Sequence, residues 1–415
     1  MGAVVGEDVA QVHVFVGWGA AQGGRWIRRC GRSFGGFPGT RRGGNVVLLE
    51  PAADFRPPPS PFPFRMPELT LTEHRFTKRV PLTISRGTST HTHVFLLRWR
   101  EEGVEGLGEA VPIAIDDRPQ TADVIREAFA ATRGWLADST AWERQSIDAR
   151  LWATGAPSTF IAAVNLALND WWGKRLGEPV WKLLGLPATP GPLTSVTIGI
   201  ASPEAAVRRL ELWRESADVR AFKVKLGAPA GVEADKAMFS AVHAALPTGA
   251  KVSVDANGGW DLPTAIDMAA WLAERGIDHL EQPLVRGGEA DLPALRERSP
   301  IPLIVDESCR TSEELATLVT AGGIDGINIK LMKCGGLDGA LRLIHTARAH
   351  GLKVLIGCYG HTALANTAAA HLGGLVDYLD LDSHLNLSDD PFSGATLHEG
   401  RFELPVSAGF GVSHD

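Results

Sequence analysis

Eight short β-rich runs, each followed by a stretch with a helical pattern, are the feature that most constrains how this 415-residue chain can fold. They begin after Pro192 and recur at near-equal spacing. Alternating strands and helices predict a parallel sheet in an α/β fold, because each helix returns the chain to the edge where the last strand began. An open doubly wound sheet gives no reason for eight near-equal units, so we predict a (β/α)₈ barrel, a modified TIM barrel. The predicted strands are Thr194–Ile200, Ala221–Leu226, Lys251–Asp255, His279–Glu281, Leu303–Asp306, Gly326–Lys330, Val354–Cys358 and Tyr378–Asp382.

The remainder of the chain lacks this repeat. Residues 66–190 combine strand-like runs with helical stretches and predict an α+β capping domain ahead of the barrel at 191–388. Residues 389–415 are expected to return to the capping domain. Residues 1–65 are rich in Arg, Gly and Pro and show no signal-peptide pattern. We expect them to be a disordered extension, or sequence upstream of the true start, and exclude them from the fold.

Composition excludes several classes of function. The net charge of −7 gives no general attraction to nucleic acid or to an anionic membrane. No apolar run approaches the roughly 20 residues that span a bilayer. The four cysteines are scattered and form no paired or metal-binding motif, as is typical of a reducing compartment. We therefore expect a cytoplasmic protein that acts on small molecules; the sequence leaves open whether it forms a homo-oligomer.

Charged residues are concentrated where the predicted strands end. Taken singly, an acid there is often a helix cap and a lysine is often a solvated loop charge. Together they place carboxylates on three consecutive strand ends with lysines on either side, where barrels of this kind carry their catalytic groups. These residues are Lys223 and Lys225 on the second strand, Asp255, Glu281 and Asp306 on the third to fifth, Lys330 on the sixth, and Asp380 and Asp382 on the eighth.

The three carboxylates favour a particular cofactor. They have no His or Cys among them and lie on a rigid rim, which suits a hard octahedral cation, Mg²⁺, better than zinc. A divalent cation facing a substrate carboxylate stabilises the enolate that forms when the adjacent carbon loses its proton. The predicted cofactor is therefore Mg²⁺, and the predicted chemistry is proton transfer next to a carboxylate.

The lysines are expected to transfer that proton. Alternation in a strand puts Lys223 and Lys225 on one face. A second ammonium about 7 Å away raises the free energy of charging a lysine by about 2.4 kcal/mol at an effective dielectric constant of about 20. We therefore expect Lys223 to hold the substrate carboxylate and to lower the pKa of Lys225, which acts as the base. Lys330, four strands further on, is expected across the barrel mouth, and bases on opposite faces of one carbon are what epimerisation requires.

These motifs, taken in order, resemble the muconate-lactonizing-enzyme subgroup of the enolase superfamily, for which lysine bases with Mg²⁺ are a known arrangement. The likeness spans about residues 68–410 and includes the helical run at 162–174. It implies that Asp255, Glu281 and Asp306 are the Mg²⁺ ligands and that Lys225 and Lys330 are the acid/base pair. The motifs that carry it are Lys223-x-Lys225, Asp255-Ala-Asn, Glu281-Gln-Pro, Asp306-Glu-Ser and Asn328-Ile-Lys-Leu-Met-Lys-Cys-Gly-Gly.

Other residues indicate which of the reactions of that subgroup to expect. Asp380-Leu-Asp382 resembles the Asp-x-Asp of dipeptide epimerases, in which the two acids hold the α-ammonium of the substrate. Arg86 resembles the arginine that meets the second residue's side-chain carboxylate in Ala-Glu epimerases, a role that suits a guanidinium. Tyr359 and His361, after the seventh strand, depart from the Glu-specific pattern and are candidates for shaping the second-residue pocket.

Three functions remain open at this point. The leading one is an epimerase of the L-Ala-D/L-Glu type, inverting the C-terminal residue of a dipeptide by two-base 1,1-proton transfer. The second is an N-acylamino-acid racemase or o-succinylbenzoate synthase of the same subgroup, whose substrates lack a free ammonium. The third is a catalytically silent barrel that acts as a binding or structural protein.

Overall fold

A computed structural model describes residues 66–114, 119–188 and 191–414. The expected extension, residues 1–65, lies outside the described residues. Among the described residues, no helix is both long enough and apolar enough to cross a membrane.

The part before the barrel begins with an antiparallel three-stranded sheet in the order β1-β2-β3. Its helix α3 packs directly on β3, where two glycines allow close approach: a Cβ at Gly108 would lie 1.9 Å from the carbonyl oxygen of Ala163. The helix α3 is buried over most of its length. The elements are β1 Glu68–Ile84, β2 Gly87–Glu101, β3 Val104–Ala110, α1 Ala122–Ala137, α2 Arg144–Ala153, α3 Ser158–Leu176 and α4 Val180–Leu183.

The predicted barrel is confirmed: eight parallel strands follow one another in a single sheet, in sequence order. A bridge between Thr194 and Leu379 joins the last strand to the first, and the hydroxyl of Thr194 accepts a hydrogen bond from the Leu381 amide at 3.0 Å. Each predicted run coincides with one strand, although the seventh strand begins one residue before the predicted run. They are β4 Ser195–Ile198, β5 Ala221–Lys225, β6 Lys251–Asp255, β7 Leu280–Glu281, β8 Leu303–Val305, β9 Gly326–Ile329, β10 Lys353–Gly357 and β11 Tyr378–Asp380.

Helices follow the first seven of these strands and cover the outside of the barrel. Their buried faces carry apolar residues at helical spacing, such as Ala206, Leu210 and Trp213 of the first one. Within the described residues β11 is followed by a turn of 3₁₀-helix at His384–Asn386 rather than an α-helix, so the eighth unit differs from the others. The helices are α5 Pro203–Ser216, α6 Val232–Ala245, α7 Leu262–Ala273, α8 Leu292–Arg298, α9 Ser312–Ala321, α10 Leu331–Cys334, α11 Leu337–Ala349 and α12 Ala363–Ala370.

The chain ends in short strands and a segment that contacts the first part of the molecule. The amide of Phe410 donates to Asp170 Oδ1 of α3 at 2.9 Å, and the amide of Val180 donates to the carbonyl of Gly409 at 2.9 Å. The strands are β12 Phe392–Ser393, β13 Thr396–His398, β14 Arg401–Glu403 and β15 Ser413–His414.

Candidate active site

Three carboxylates meet at the C-terminal ends of adjacent barrel strands. Asp255 ends β6, Glu281 ends β7, and Asp306 follows β8 directly. The register pairs Asp255 with Glu281, which places their side chains beside each other. All three residues are fully buried, and each offers an oxygen within 4.8 Å of the others. The structure therefore brings the predicted ligand set together.

Each carboxylate contacts a different lysine. Lys225 Nζ lies 2.5 Å from Asp255 Oδ2, Lys223 Nζ lies 2.5 Å from Glu281 Oε2, and Lys330 Nζ lies 2.6 Å from Asp306 Oδ2. Three buried negative charges so close together repel one another strongly, because the interior screens charges far less than water does. The lysines supply the compensating positive charge.

The pKa values of the carboxylates reflect this balance. Burial and the neighbouring Glu281 raise the pKa of Asp255 to about 7 despite Lys225. Burial acts in the same direction on Asp306, but the charges of Lys330 and Lys333 outweigh it and lower the pKa of Asp306. Asp255 is therefore the carboxylate of these two whose ionised form is less stabilised by its surroundings, and a bound cation would stabilise that form.

The donor set fits a divalent cation. It consists only of carboxylate oxygens, and among the described residues no His or Cys joins the cluster. Two amides hold the carboxylates in place: Asn328 Nδ2 donates to Glu281 Oε1 at 2.7 Å, and Asn257 Nδ2 donates to Asp255 Oδ2 at 3.0 Å. Oxygen-only ligands on a rigid frame suit Mg²⁺.

Lys225 and Lys330 lie on opposite walls of the barrel. Lys225 ends β5 and Lys330 directly follows β9, and three strands separate these two in the sheet order. In a closed sheet of eight strands, a separation of four positions is half the circumference. The ammonium groups contact the two outer carboxylates of the set, with Glu281 between them. This is the arrangement predicted for two bases facing one carbon from opposite sides.

Lys223 lies deeper in the barrel than the sequence suggested. Its ammonium bridges Glu281 and Asp380, with 2.7 Å to Asp380 Oδ2, and its side chain is 1 % exposed. Burial lowers the pKa of Lys223, but the charges of Asp380 and Glu281 outweigh it and raise that pKa. This internal ion pair ties a candidate metal ligand to the last strand, and the contact of Lys223 with a substrate carboxylate stays a prediction.

The two acids of the eighth strand differ in their surroundings. Asp380 accepts from Lys223 and, at 2.7 Å, from the Ser195 hydroxyl. Asp382 accepts from the Thr197 amide at 2.6 Å, and among the described residues no ion pair neutralises it. Burial and the charge of Asp380 raise the pKa of Asp382 to about 6. Both acids are buried and cap no α-helix, so Asp382 is the carboxylate still available to a cationic ligand.

Arg86 is at the tip of the β1–β2 hairpin and closes over the rim of the barrel. Its guanidinium donates to Glu307 Oε1 at 2.6 Å and to the carbonyl of Asn257 at 3.0 Å. The hydroxyl of Ser85 reaches the same carbonyl at 3.1 Å. The arginine thus comes to the site as predicted, but the protein's own Glu307 already pairs with it.

Tyr359 and His361 follow β10 and face the Lys330 side. The Lys330 Nζ lies 4.6 Å from the centre of the Tyr359 ring, and the rings of Tyr359 and His361 meet edge to face at 6.4 Å. Burial, aided by the charge of Lys330, lowers the pKa of His361 to about 3, so this imidazole is neutral at physiological pH.

Lys333 is a charged residue of the site to which sequence reasoning assigned no role. Its ammonium donates to Asp306 Oδ1 at 2.5 Å and to three backbone carbonyls, those of Asp306, Asn328 and Cys309. It is 2 % exposed. The sequence feature that could have indicated a role for Lys333 is its position three residues after Lys330. In a helical turn this spacing puts both lysines on the same side of the chain.

Both halves of the described chain match known families. Residues 66–185 match the family described as "Mandelate racemase / muconate lactonizing enzyme, N-terminal domain". Residues 205–415 match the family described as "Enolase C-terminal domain-like". The second match contains every barrel strand after the first, and with them all three carboxylates and all the lysines discussed above.

Individual relatives are similar over nearly their whole length. A hydrophobic dipeptide epimerase from Roseobacter litoralis is 43% identical over 326 residues, which cover 78% of this chain and 92% of the relative. A hydrophobic dipeptide epimerase from a Flavobacteria bacterium is 42% identical over 350 residues, covering 83% and 98%. The solved structure of a dipeptide epimerase from Enterococcus faecalis V583, complexed with Mg and L-Leu-L-Tyr, superposes with a TM-score of 0.77 at 27% identity, covering 85% of this chain and 99% of that one.

Proposed function

Because this chain belongs to the mandelate racemase / muconate lactonizing enzyme family of the enolase superfamily, we propose that it is a Mg²⁺-dependent dipeptide epimerase. It inverts the α-carbon of the C-terminal residue of a dipeptide. The observation that carries the proposal is the pair of lysines on opposite walls, Lys225 on Asp255 and Lys330 on Asp306, on either side of three clustered carboxylates. The relatives named as dipeptide epimerases support the same reaction.

In this proposal Asp255, Glu281 and Asp306 hold the Mg²⁺. When bound, it supplies positive charge that stabilises the substrate carboxylate as the adjacent carbon loses its proton. Lys225 removes that proton from one face and Lys330 delivers a proton to the other; the reverse reaction exchanges their roles. No net proton is gained or lost, which is what an epimerisation requires.

Asp382 holds the α-ammonium of the dipeptide in this proposal. A buried carboxylate without an ion-pair partner gains more from a bound cation than one already paired. Asp380 is paired with Lys223, so it acts indirectly: it holds Lys223, and through it Glu281, in place. The hairpin tip with Ser85 and Arg86 closes the site and keeps water away from the reacting carbon.

The second residue of the substrate is apolar rather than acidic in this proposal. A side-chain carboxylate would have to displace Glu307 from Arg86, which leaves a buried Glu307 without its partner. Tyr359 and His361 add neutral aromatic surface on the same side. The names of the two relatives as hydrophobic dipeptide epimerases agree with this choice. We also place the enzyme in the cytoplasm, since the cysteines in the described part of the chain are free thiols.

The test is α-proton exchange and epimerisation in D₂O. The purified protein is incubated with Mg²⁺ and mixtures of L,L-dipeptides, and incorporation of one deuterium is followed by mass spectrometry together with chiral analysis of the C-terminal residue. We expect epimerisation of dipeptides with apolar second residues and its loss after EDTA treatment, restored by Mg²⁺. Full activity in EDTA would contradict the metal assignment.

A blocked substrate separates this function from its closest rival. N-acetylation removes the ammonium that Asp382 is proposed to bind, so the N-acetyl dipeptide should react far more slowly than the free one. An N-acylamino-acid racemase would show the opposite preference. Tight Mg²⁺ binding without any α-proton exchange would indicate a silent barrel instead.

A further inference from the structure

The two lysines that face each other across the site are held in different ways. Among the described residues, Lys225 has its ion pair with Asp255 and no aromatic ring against its ammonium. Lys330 has its ion pair with Asp306 and also the face of the Tyr359 ring, 4.6 Å from Nζ. Asp306 is shared, since its second oxygen receives Lys333. A cation over an aromatic face is attracted by the negative potential of the ring.

The Tyr359 ring is itself fixed by the capping sheet. The hydroxyl of Thr92 on β2 donates to the carbonyl of Gly360, and a Cβ at Gly360 would lie only 2.2 Å from that hydroxyl oxygen. Glu109 on β3 accepts the amide of Thr362 at 3.1 Å and also its hydroxyl. The residues on the C-terminal side of Tyr359 therefore bind to two strands of another sheet, which leaves the ring little freedom.

The residues that follow Tyr359 are also hydrogen-bonded to the barrel itself. Ser383, which follows the eighth strand, accepts the amide of His361 through its hydroxyl at 3.0 Å and lies 3.0 Å from the carbonyl of the same residue. The backbone on the C-terminal side of Tyr359 is thus held by three separate elements. Such a supporting set is what keeps a side chain in one position relative to a reacting group.

It is the ring rather than the hydroxyl that acts on Lys330. The hydroxyl oxygen of Tyr359 is buried and has no hydrogen-bond partner among the described residues. Burial raises the pKa of Tyr359 well above its ordinary value, so the group remains a neutral phenol. Removing the hydroxyl should then change little, whereas removing the aromatic face removes one of the two contacts that hold the ammonium.

We propose that Tyr359 is a positioning residue for Lys330: its ring holds that ammonium in place on one face of the substrate α-carbon. The inference rests on the proposed two-lysine epimerisation. It gives Tyr359 a part in the proton transfer itself, in addition to the pocket wall expected from its sequence position. Because Lys225 has no counterpart of this ring, the effect of Tyr359 is confined to one of the two proton-transfer steps.

The experiment compares Tyr359→Phe with Tyr359→Leu. Exchange of the α-proton in D₂O is measured separately for the two epimers of one dipeptide, with initial rates giving kcat and KM. The Lys225→Ala variant identifies the epimer whose proton points at Lys330, because only that epimer still exchanges in it. We expect Tyr359→Leu to slow exchange from this epimer about tenfold in kcat and to leave the other within about twofold. Tyr359→Phe should keep wild-type rates for both.

The epimer that exchanges through Lys225 serves as the internal control for folding, since a misfolded protein would lose both rates. Three results would overturn the inference: equal loss for the two epimers in Tyr359→Leu, a change in KM alone, or the same loss in Tyr359→Phe. Each would mean that Tyr359 only lines the substrate pocket. If instead Lys225→Ala and Lys330→Ala show no difference between epimers, the proposed function itself fails. The two failures are therefore distinguishable.

Discussion

The two walls of the barrel mouth carry the same kind of base in unlike surroundings. On the β5–β6 wall, Lys225 contacts Asp255, and that carboxylate receives the backbone amide and the side-chain amide of Asn257. On the β8–β10 wall, Lys330 contacts Asp306, which also binds the buried Lys333. Asp255 thus has one lysine and the two amide groups of a residue two positions away, whereas Asp306 has two lysines, 24 and 27 residues away.

A reaction that runs in both directions through two lysines is thus carried out by two groups of residues with different charge and different hydrogen bonds. A two-base epimerase needs a base on each face of one carbon, and here the two strand ends that carry the lysines have different surroundings. The Asp255 side is short of positive charge, since burial raises the pKa of that carboxylate to about 7. The Asp306 side has two lysines, which lower the pKa of Asp306. The predictions below test how far this asymmetry extends into function.

The largest effect should come from removing either base. Lys225→Ala and Lys330→Ala should each abolish epimerisation in both directions, a loss of about 10³-fold or more, since a complete turnover needs both lysines. Each variant should still exchange the α-proton of the one epimer that faces its surviving lysine. Chiral analysis and deuterium incorporation measured on both epimers would check this. Equal residual exchange from both epimers in both variants would contradict the two-base assignment.

A large difference in stability should separate the two walls. Lys333→Met removes the donor of four buried acceptors, three of them backbone carbonyls, and losing such buried hydrogen bonds costs about 1–3 kcal/mol each in the free energy of unfolding even though Asp306 keeps Lys330. Lys225→Met is the matched control: it removes the same charge, but Asp255 keeps the two amide donors of Asn257. Urea unfolding in EDTA should show the larger loss for Lys333→Met. Equal losses would mean that the hydrogen bonds of Lys333 do not add to the stability of the β8–β10 wall.

Much of this molecule follows from its sequence. The eight strands and their order were predictable because each is a short β-rich run at near-equal spacing, and six of the eight runs have a charged residue at or beside their C-terminal end. The same pattern gave Asp255, Glu281 and Asp306, and the structure brings them together. It also indicated Lys225 and Lys330, whose positions on opposite walls follow from their separation of four strand positions in a sheet of eight.

What could not be predicted depends on pairs that are far apart in the chain. The ion pair of Lys223 with Asp380 joins the second barrel strand to the last one, and only closure of the barrel brings the two together. The pairing of Arg86 with Glu307 joins a hairpin tip to a strand end 221 residues away. The contact of Tyr359 with Lys330 depends on anchors in the capping sheet. Local periodicity does not encode such contacts.

A smaller effect concerns the pH dependence of kcat/KM, which should be the same for the two epimers. Asp382 must be ionised to hold the substrate ammonium, and its raised pKa of about 6 means that it is mostly ionised at pH 7 and mostly protonated at pH 5. The value of kcat/KM should therefore fall about tenfold between those pH values, equally for both epimers, since Asp382 serves both directions. The substrate ammonium stays charged throughout this range.

Asp382→Asn provides the control for that pH dependence. It should lower kcat/KM strongly at pH 7 and remove the decrease between pH 7 and pH 5, because the amide does not titrate there. The kcat of the wild type should change less than kcat/KM, since a bound ammonium lowers the pKa of its carboxylate partner. A decrease in Asp382→Asn as steep as in the wild type would assign the titration to another group.

The smallest effect should come from Arg86, which spans the two walls. Its guanidinium contacts the carbonyl of Asn257 beside the β6 end and the carboxylate of Glu307 beside the β8 end. The arginine side chain is 45% exposed and that of Glu307 is 7% exposed, so losing this pair should lower stability less than losing a fully buried ion pair. For an apolar dipeptide, Arg86→Met should raise KM about threefold through looser closure of the hairpin, with equal effect on the two epimers. If Arg86 instead binds a substrate carboxylate, the variant should lose activity chiefly toward dipeptides ending in Glu. Steady-state kinetics with L-Ala-L-Glu and L-Ala-L-Leu, measured on wild type and variant, distinguishes the two roles.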